Sequence, residues 1–139
     1  MAKIYQYRKI TDPYTTYSLR GEGVMELCDL DGITYASVDG ELPEYDARLV
    51  VAETELTTLL RDRIKTESTF CQLIAERMQS RIRERYSQED EHYLTRISVG
   101  AISGLYTMEP GEMDQVVAFS AFVESVRQWG RDERGKVGL

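Results

Sequence analysis

Apolar and polar positions alternate along the first third of the chain, in the way that half-buried strands do. Lys3-Ile4-Tyr5-Gln6-Tyr7-Arg8 reads as a first strand, and Asp12-Pro13 marks a turn after it. Thr15–Arg20 reads as a second strand, closed by Gly21-Glu22-Gly23. Val24–Asp29 and Ile33–Val38 flank Asp31-Gly32, a pair that tolerates the positive φ angles of a tight hairpin. A second Asp-Gly, at Asp39-Gly40, ends that hairpin, and Leu42-Pro43-Glu44 follows as an extended connector. Arg48–Ala52 is the last strand expected. A hairpin alone is marginal in water, so the sheet must pack on something.

From about Thr54 the spacing becomes helical. Leu56, Leu59, Leu60 and Ile64 begin the pattern, and Phe70, Leu73, Ile74, Met78 and Ile82 carry it to about Tyr86. Ser68 reads as an N-cap, so a break is expected near residues 67–69. Ser87 with Asp90 has the spacing of a capping box, though that motif prefers Glu or Gln at the second position. A short helix through Ser98, ended by Gly100, should follow, while 101–108 reads either as loop or as a short strand. Pro110 and Glu112 open a final helix with a wide apolar stripe from Met113 to Trp129, ended by the polar tail Arg131–Lys136. The fold class is therefore α+β, with a β-rich part over 1–53 and three to four helices over 54–139, in one continuous folding unit.

Two stripes invite association. Leu60, Ile64, Cys71, Ile74, Met78 and Ile82 form a narrow, roughly heptad-spaced row, interrupted by Glu67. Such a row suits either a seam between copies or one face of an intrachain core. Leu60, Ile64, Ile74, Met78 and Ile82 are the residues expected to self-associate. Val116, Val123, Val126 and Trp129 suit either core or contact. The tyrosines at 5, 7, 14, 17, 35 and 45 likewise suit sheet construction or a contact surface.

The 139 residues carry 24 acidic and 17 basic side chains, for a net charge of −7. That balance argues against nucleic acid as the main partner, since phosphate is read by clusters of Lys and Arg. The exception, Arg77, Arg81, Arg83 and Arg85, is interleaved with Glu76 and Glu84. It reads as an ion-paired helix face, or as an anion or partner site. No apolar run is long enough for a bilayer, and the first residues turn polar too soon for a signal peptide, so no membrane partner is expected.

Catalytic chemistry finds little footing. Cys28 and Cys71 are read as buried thiols, and with the single His92 they make no zinc site. Glu89, Asp90, Glu91 and His92 fan outward on a helix, so Asp90 is better explained as a cap than as part of a metal or acid–base site. Gly21-Glu22-Gly23 lacks the third glycine and the helix of a dinucleotide loop. The chain is expected not to be an enzyme and to need no cofactor or metal.

Two stretches look familiar. Ile82–Glu91 resembles an I-R-x-x-Y-S-x-x-D-E element, and Phe122–Arg131 resembles a Y/F-V-E-x-x-R-x-W-G-R element. Together they are similar to small proteins encoded near the tail-fibre genes of tailed bacteriophages and prophages. Glu26–Tyr35 and Glu41–Glu44 resemble the front half of such proteins. The resemblance implies a virion structural protein of the tail: a fibre, fibre adaptor or baseplate-peripheral component. It would be made in the host cytoplasm and would bind other tail or fibre proteins. A homo-oligomer is implied, a trimer if it belongs to a fibre. The alternatives are a tail-fibre assembly chaperone absent from the finished particle, and a small phage regulator or enzyme. The resemblance carries no catalytic residues over.

Overall fold

A computed structural model describes residues 1–139. The architecture is α+β: six strands, two of them forming a small separate hairpin, are followed by four helices. The strands end at Glu53 and the first helix begins at Thr58. By compactness the chain falls into two units, one of Met1–Ile74 with Asp132–Leu139, the other of Ala75–Arg131.

In the first unit, β1 (Ala2–Tyr7), β4 (Val24–Leu30), β5 (Ile33–Asp39) and β6 (Ala52–Glu53) form one antiparallel sheet in the order β4-β5-β1-β6. The β4–β5 turn is made by Asp31 at φ 54° and Gly32 at φ 79°, both in the left-handed region that Asp and Gly tolerate. A bulge between Glu26 and Cys28 places Leu27 as the extra residue, buried with Ile4, Leu30 and Tyr35. Helix α1 (Thr58–Glu67) packs on β4 and adds Ile64 to that face. Val137 and Leu139, from the far end of the chain, complete it.

The opposite face of the sheet is also covered, by Leu19 and Leu49 against Tyr7, Ala36 and Val38. Central β5 is therefore buried continuously from Thr34 to Val38 rather than at every second residue. The same demand shortens the neighbouring strands. The expected strand 15–20 is paired only as β3 (Thr16–Tyr17), against β2 (Ile10–Thr11), across a turn where the Asp12 carboxylate accepts the Tyr14 and Thr15 N–H groups at 2.9 and 2.8 Å. Leu19 leaves the ladder to enter the core, and its N–H donates to the buried Tyr7 hydroxyl at 3.1 Å. Leu49 does likewise, so the expected strand 48–52 pairs only at Ala52 and Glu53.

The helix boundaries follow their caps. Thr57 caps α1, its hydroxyl accepting the Leu60 N–H at 3.2 Å. Thr54 instead donates its N–H to the Ile4 carbonyl, extending the sheet. At Ser68 the backbone turns extended, with ψ 124°. The buried Ser68 hydroxyl accepts the Cys71 N–H at 3.4 Å as α2 (Thr69–Arg85) begins. Helix α3 (Gln88–Ile102) starts at a full capping box. The Ser87 hydroxyl accepts from Asp90 N–H at 3.0 Å, and the Asp90 carboxylate accepts from Ser87 N–H at 3.1 Å.

Two expected helix ends move. Helix α3 runs through Gly100 to Ile102, and 103–108 has no strand. The final helix, α4 (Glu112–Gly135), continues through most of the polar tail instead of ending before it. The tail's Arg, Asp and Glu side chains are adequate helix formers and need no apolar stripe to stay helical.

Candidate functional site

In the unit 75–131 the two familiar stretches meet. Ile82–Glu91 spans the end of α2, the Ser87 cap and the first turn of α3, while Phe122–Arg131 lies on α4. The Tyr86 ring packs edge-on to Phe119 with centroids 4.9 Å apart, and tilted against Phe122 at 5.7 Å. The Arg81 guanidinium lies 3.8 Å from the Trp129 ring centre, and that of Arg85 lies 4.7 Å from Phe122. Arg83 pairs with Glu91 at 2.6 Å, and Arg131 with Glu124 at 2.5 Å. Gly130 is buried beside Met78, leaving no room for a methyl group unless the thioether moves. Residues in and beside these two stretches cap, pair and stack, and so clasp the helices together. Of the arginines read as a solvated, ion-paired face or an anion or partner site, Arg77, Arg81 and Arg85 are exposed and Arg83 pairs with Glu91, while Arg81 and Arg85 also lie over aromatic rings.

A second cluster fixes the α3–α4 connection. Glu112 is buried, and its carboxylate accepts the hydroxyls of Tyr93 and, at 2.8 Å, Tyr106. It also accepts the Glu109 N–H at 2.6 Å. The Tyr93 hydroxyl foremost, then the Glu109 N–H and the Tyr106 hydroxyl, hold the carboxyl below the usual glutamate range. The same hydrogen bond pushes the Tyr106 hydroxyl up to about 12. Opposite Gly100 sits the Cβ of Tyr106, so the loop folds against α3 where a side chain would block it. The Leu105 and Tyr106 N–H groups both donate to the Gly100 carbonyl.

That connection holds up an uncovered apolar surface. Val99 and Ile102 on α3 are 60% and 86% exposed, and Leu105 in the loop is 88% exposed. Met113 and Val117, one turn apart on α4, are 56% and 58% exposed. Singly exposed apolar residues need no explanation, but here Val99, Ile102 and Leu105 follow one another at the end of α3 and in its loop, and Met113 and Val117 on the first turns of α4. Nearby, an open groove of about 290 Å³ is lined by Tyr86, Asp90, Tyr93, Leu94, Gln115 and Ala118.

The residues singled out from the sequence divide by burial. Ile64 and Ile74 are buried within the first unit and Val126 within the second, with no surface left to give a partner. Leu60 is half-buried against the Ile64 face. Met78, Ile82, Val116, Val123 and Trp129 are half-buried along α2 and α4. Val99, Ile102 and Val117 were not singled out as contacts. One signal existed for Val117: it points about 100° from the adjacent Val116, toward the edge of the α4 stripe.

Nothing assembles around the expected weak points of chemistry. His92 is exposed on the first turns of α3. Burial pushes the Cys28 thiol up to about 11 and raises that of Cys71, away from the thiolate that nucleophilic or metal-binding roles require. No three His, Cys, Asp or Glu side chains converge as a metal site. No helix is long and apolar enough to cross a membrane. No known protein family, no curated protein and no solved structure matches the chain.

Proposed function

We propose that this chain is a structural component of a phage tail that works by binding other proteins rather than by turnover. The observation that carries the binding half of this reading is the exposure of apolar side chains at the end of α3, in its loop and on the first turns of α4: Val99, Ile102, Leu105, Met113 and Val117. The tail assignment is supported by the resemblance of Ile82–Glu91 and Phe122–Arg131 to tail-fibre-associated proteins. Both stretches spend their side chains on packing, as suits a protein whose shape is its product. Mass spectrometry of purified virions tests the reading. Presence in the particle at a fixed ratio to known tail proteins is expected. Absence from the particle, with capture of unassembled fibre, would make the chain an assembly chaperone and overturn the structural role.

A further inference from the structure

We infer that the groove where β1 and β6 part is a docking site for an extended, acidic segment of another protein. The site lies in the first unit, so it depends neither on the tail reading nor on the apolar side chains of α3 and α4. Three observations carry it.

The first is an interrupted ladder. β1 and β6 pair at Tyr5–Glu53 and Gln6–Ala52, and the Thr54 N–H donates to the Ile4 carbonyl at 2.8 Å. Pairing then stops, since Leu49 leaves for the core. On its other side β1 stays paired with β5 as far as Tyr7–Thr34. An open groove of about 340 Å³ lies there, and its lining includes Arg8, Ile10, Ile33, Arg48, Val50 and Ala52. Arg8, two residues past the last β1–β6 pair, has no hydrogen-bond partner for its backbone within the chain. An extended segment laid along this edge meets unpaired backbone, which strand addition requires.

The second is charge. The chain carries 24 acidic and 17 basic side chains, yet two guanidinium groups and no carboxylate line this groove. Four other grooves on the chain each include at least one carboxylate. The Asp46 carboxylate neutralises Arg48 and fixes it, accepting from Nε at 3.0 Å and from a terminal nitrogen at 3.1 Å, with the guanidinium 4.2 Å from the Tyr17 ring centre. Arg8 has no such partner. Its guanidinium reaches the β4–β5 turn, where a Cβ on Gly32 would lie 2.9 Å away, while the carboxylate of that turn, Asp31, pairs with Arg63. One guanidinium is thus left open to a carboxylate, the group whose geometry it matches with two parallel hydrogen bonds.

The third is the apolar wall. Val50 is 82% exposed, and Ile10, Ile33 and Ala52 line the groove with it. In an added strand alternate side chains share a face. A strand whose carboxylate meets Arg8 therefore carries side chains two residues away within reach of this wall. With little backbone to pair, binding relies on charge and is salt-sensitive. Two copies of this chain, each at −7, repel one another, which favours a different protein as the occupant.

Fluorescence anisotropy with a labelled peptide of alternating glutamate and valine tests this. The peptide should bind the intact chain, and binding should weaken about tenfold between about 50 and about 500 mM salt. Arg8→Glu should weaken it about tenfold or more with the circular dichroism unchanged, since Arg8 is exposed and unpaired. Arg8→Gln should fall between that variant and the wild type. A peptide with lysine in place of glutamate should not bind. No binding of the glutamate peptide would overturn the inference, as would binding indifferent to Arg8→Glu. Equal affinity for N-acetylglutamate would overturn it too, because the site would then take a lone carboxylate and not a segment. Dimerisation of the chain that Arg8→Glu abolishes would assign the groove to a second copy instead, and so contradict the occupant proposed.

Discussion

The Arg81 guanidinium lies over the Trp129 ring, 3.8 Å from its centre, and ties α2 to α4. Arg81 is exposed and Trp129 half-buried, so each protects the other from water. Arg81→Ala should cost about 0.5–1 kcal/mol, the range for cation–π contacts at exposed sites. Trp129→Ala should cost more, about 2–3 kcal/mol, since it also removes packed area. In a double-mutant cycle read by urea unfolding, the coupling should be about 0.5–1 kcal/mol. A coupling of zero would mean that the stacked geometry contributes nothing to stability.

Two glycines in helices should respond differently to alanine. At Gly130 the obstacle is the flexible end of Met78, which can swing aside. The helix-propensity gain of about 1 kcal/mol then offsets the crowding, and Gly130→Ala should be near neutral. At Gly100 the obstacle is the Cβ of Tyr106, 2.7 Å from where the new methyl carbon would sit and fixed to the loop backbone. Gly100→Ala should lose about 1–3 kcal/mol despite its better propensity. Thermal unfolding of the two variants side by side checks the contrast.

Acid should loosen the α3–α4 connection. The folded Glu112 carboxyl titrates below its ordinary value of 4.5, held there chiefly by the Tyr93 hydroxyl. Its contribution to stability is therefore fully present above that ordinary value and is lost as the pH falls through the lower, folded one. Urea midpoints measured between about pH 7 and about pH 3 should fall, and Glu112→Gln should flatten part of that slope. An unchanged slope in Glu112→Gln would assign the acid sensitivity to other carboxylates.

Val137 should matter to the sheet although it lies at the other end of the chain. It is buried with Ile4, Leu27 and Ile64, and Gly138 runs beside the Ala2 carbonyl at φ 90°. Val137→Ala should cost about 1–2 kcal/mol, and Val137→Asp substantially more, because it would bury an unpaired charge. Hydrogen exchange in β1 and β5 would report the loss.

Local chemistry was legible in the sequence, and long-range packing was not. The Asp31-Gly32 hairpin, the break at Ser68 and the Ser87–Asp90 cap each depend on residues within a few positions of one another, so their spacing announces them. Leu19 and Leu49 abandon their ladders because the sheet has a second face to cover, which no local pattern records. Gly100 does not end α3, because a glycine can also mark a close approach, here by Tyr106. For the candidate site, apolar spacing revealed that α4 has a wide stripe but not which part of it stays uncovered. Ile102 and Leu105, the most exposed of these residues, both lie in 101–108, a segment with no clear period at all.

The central proposal is that this protein binds its partners through the exposed apolar side chains at the end of α3, in its loop and on the first turns of α4. Quantitative mass spectrometry of virions assembled with the wild-type chain or with Ile102→Glu tests it most directly. Incorporation of Ile102→Glu should fall about tenfold or more, at equal expression and with the fold intact. Equal incorporation of the two chains would contradict the claim.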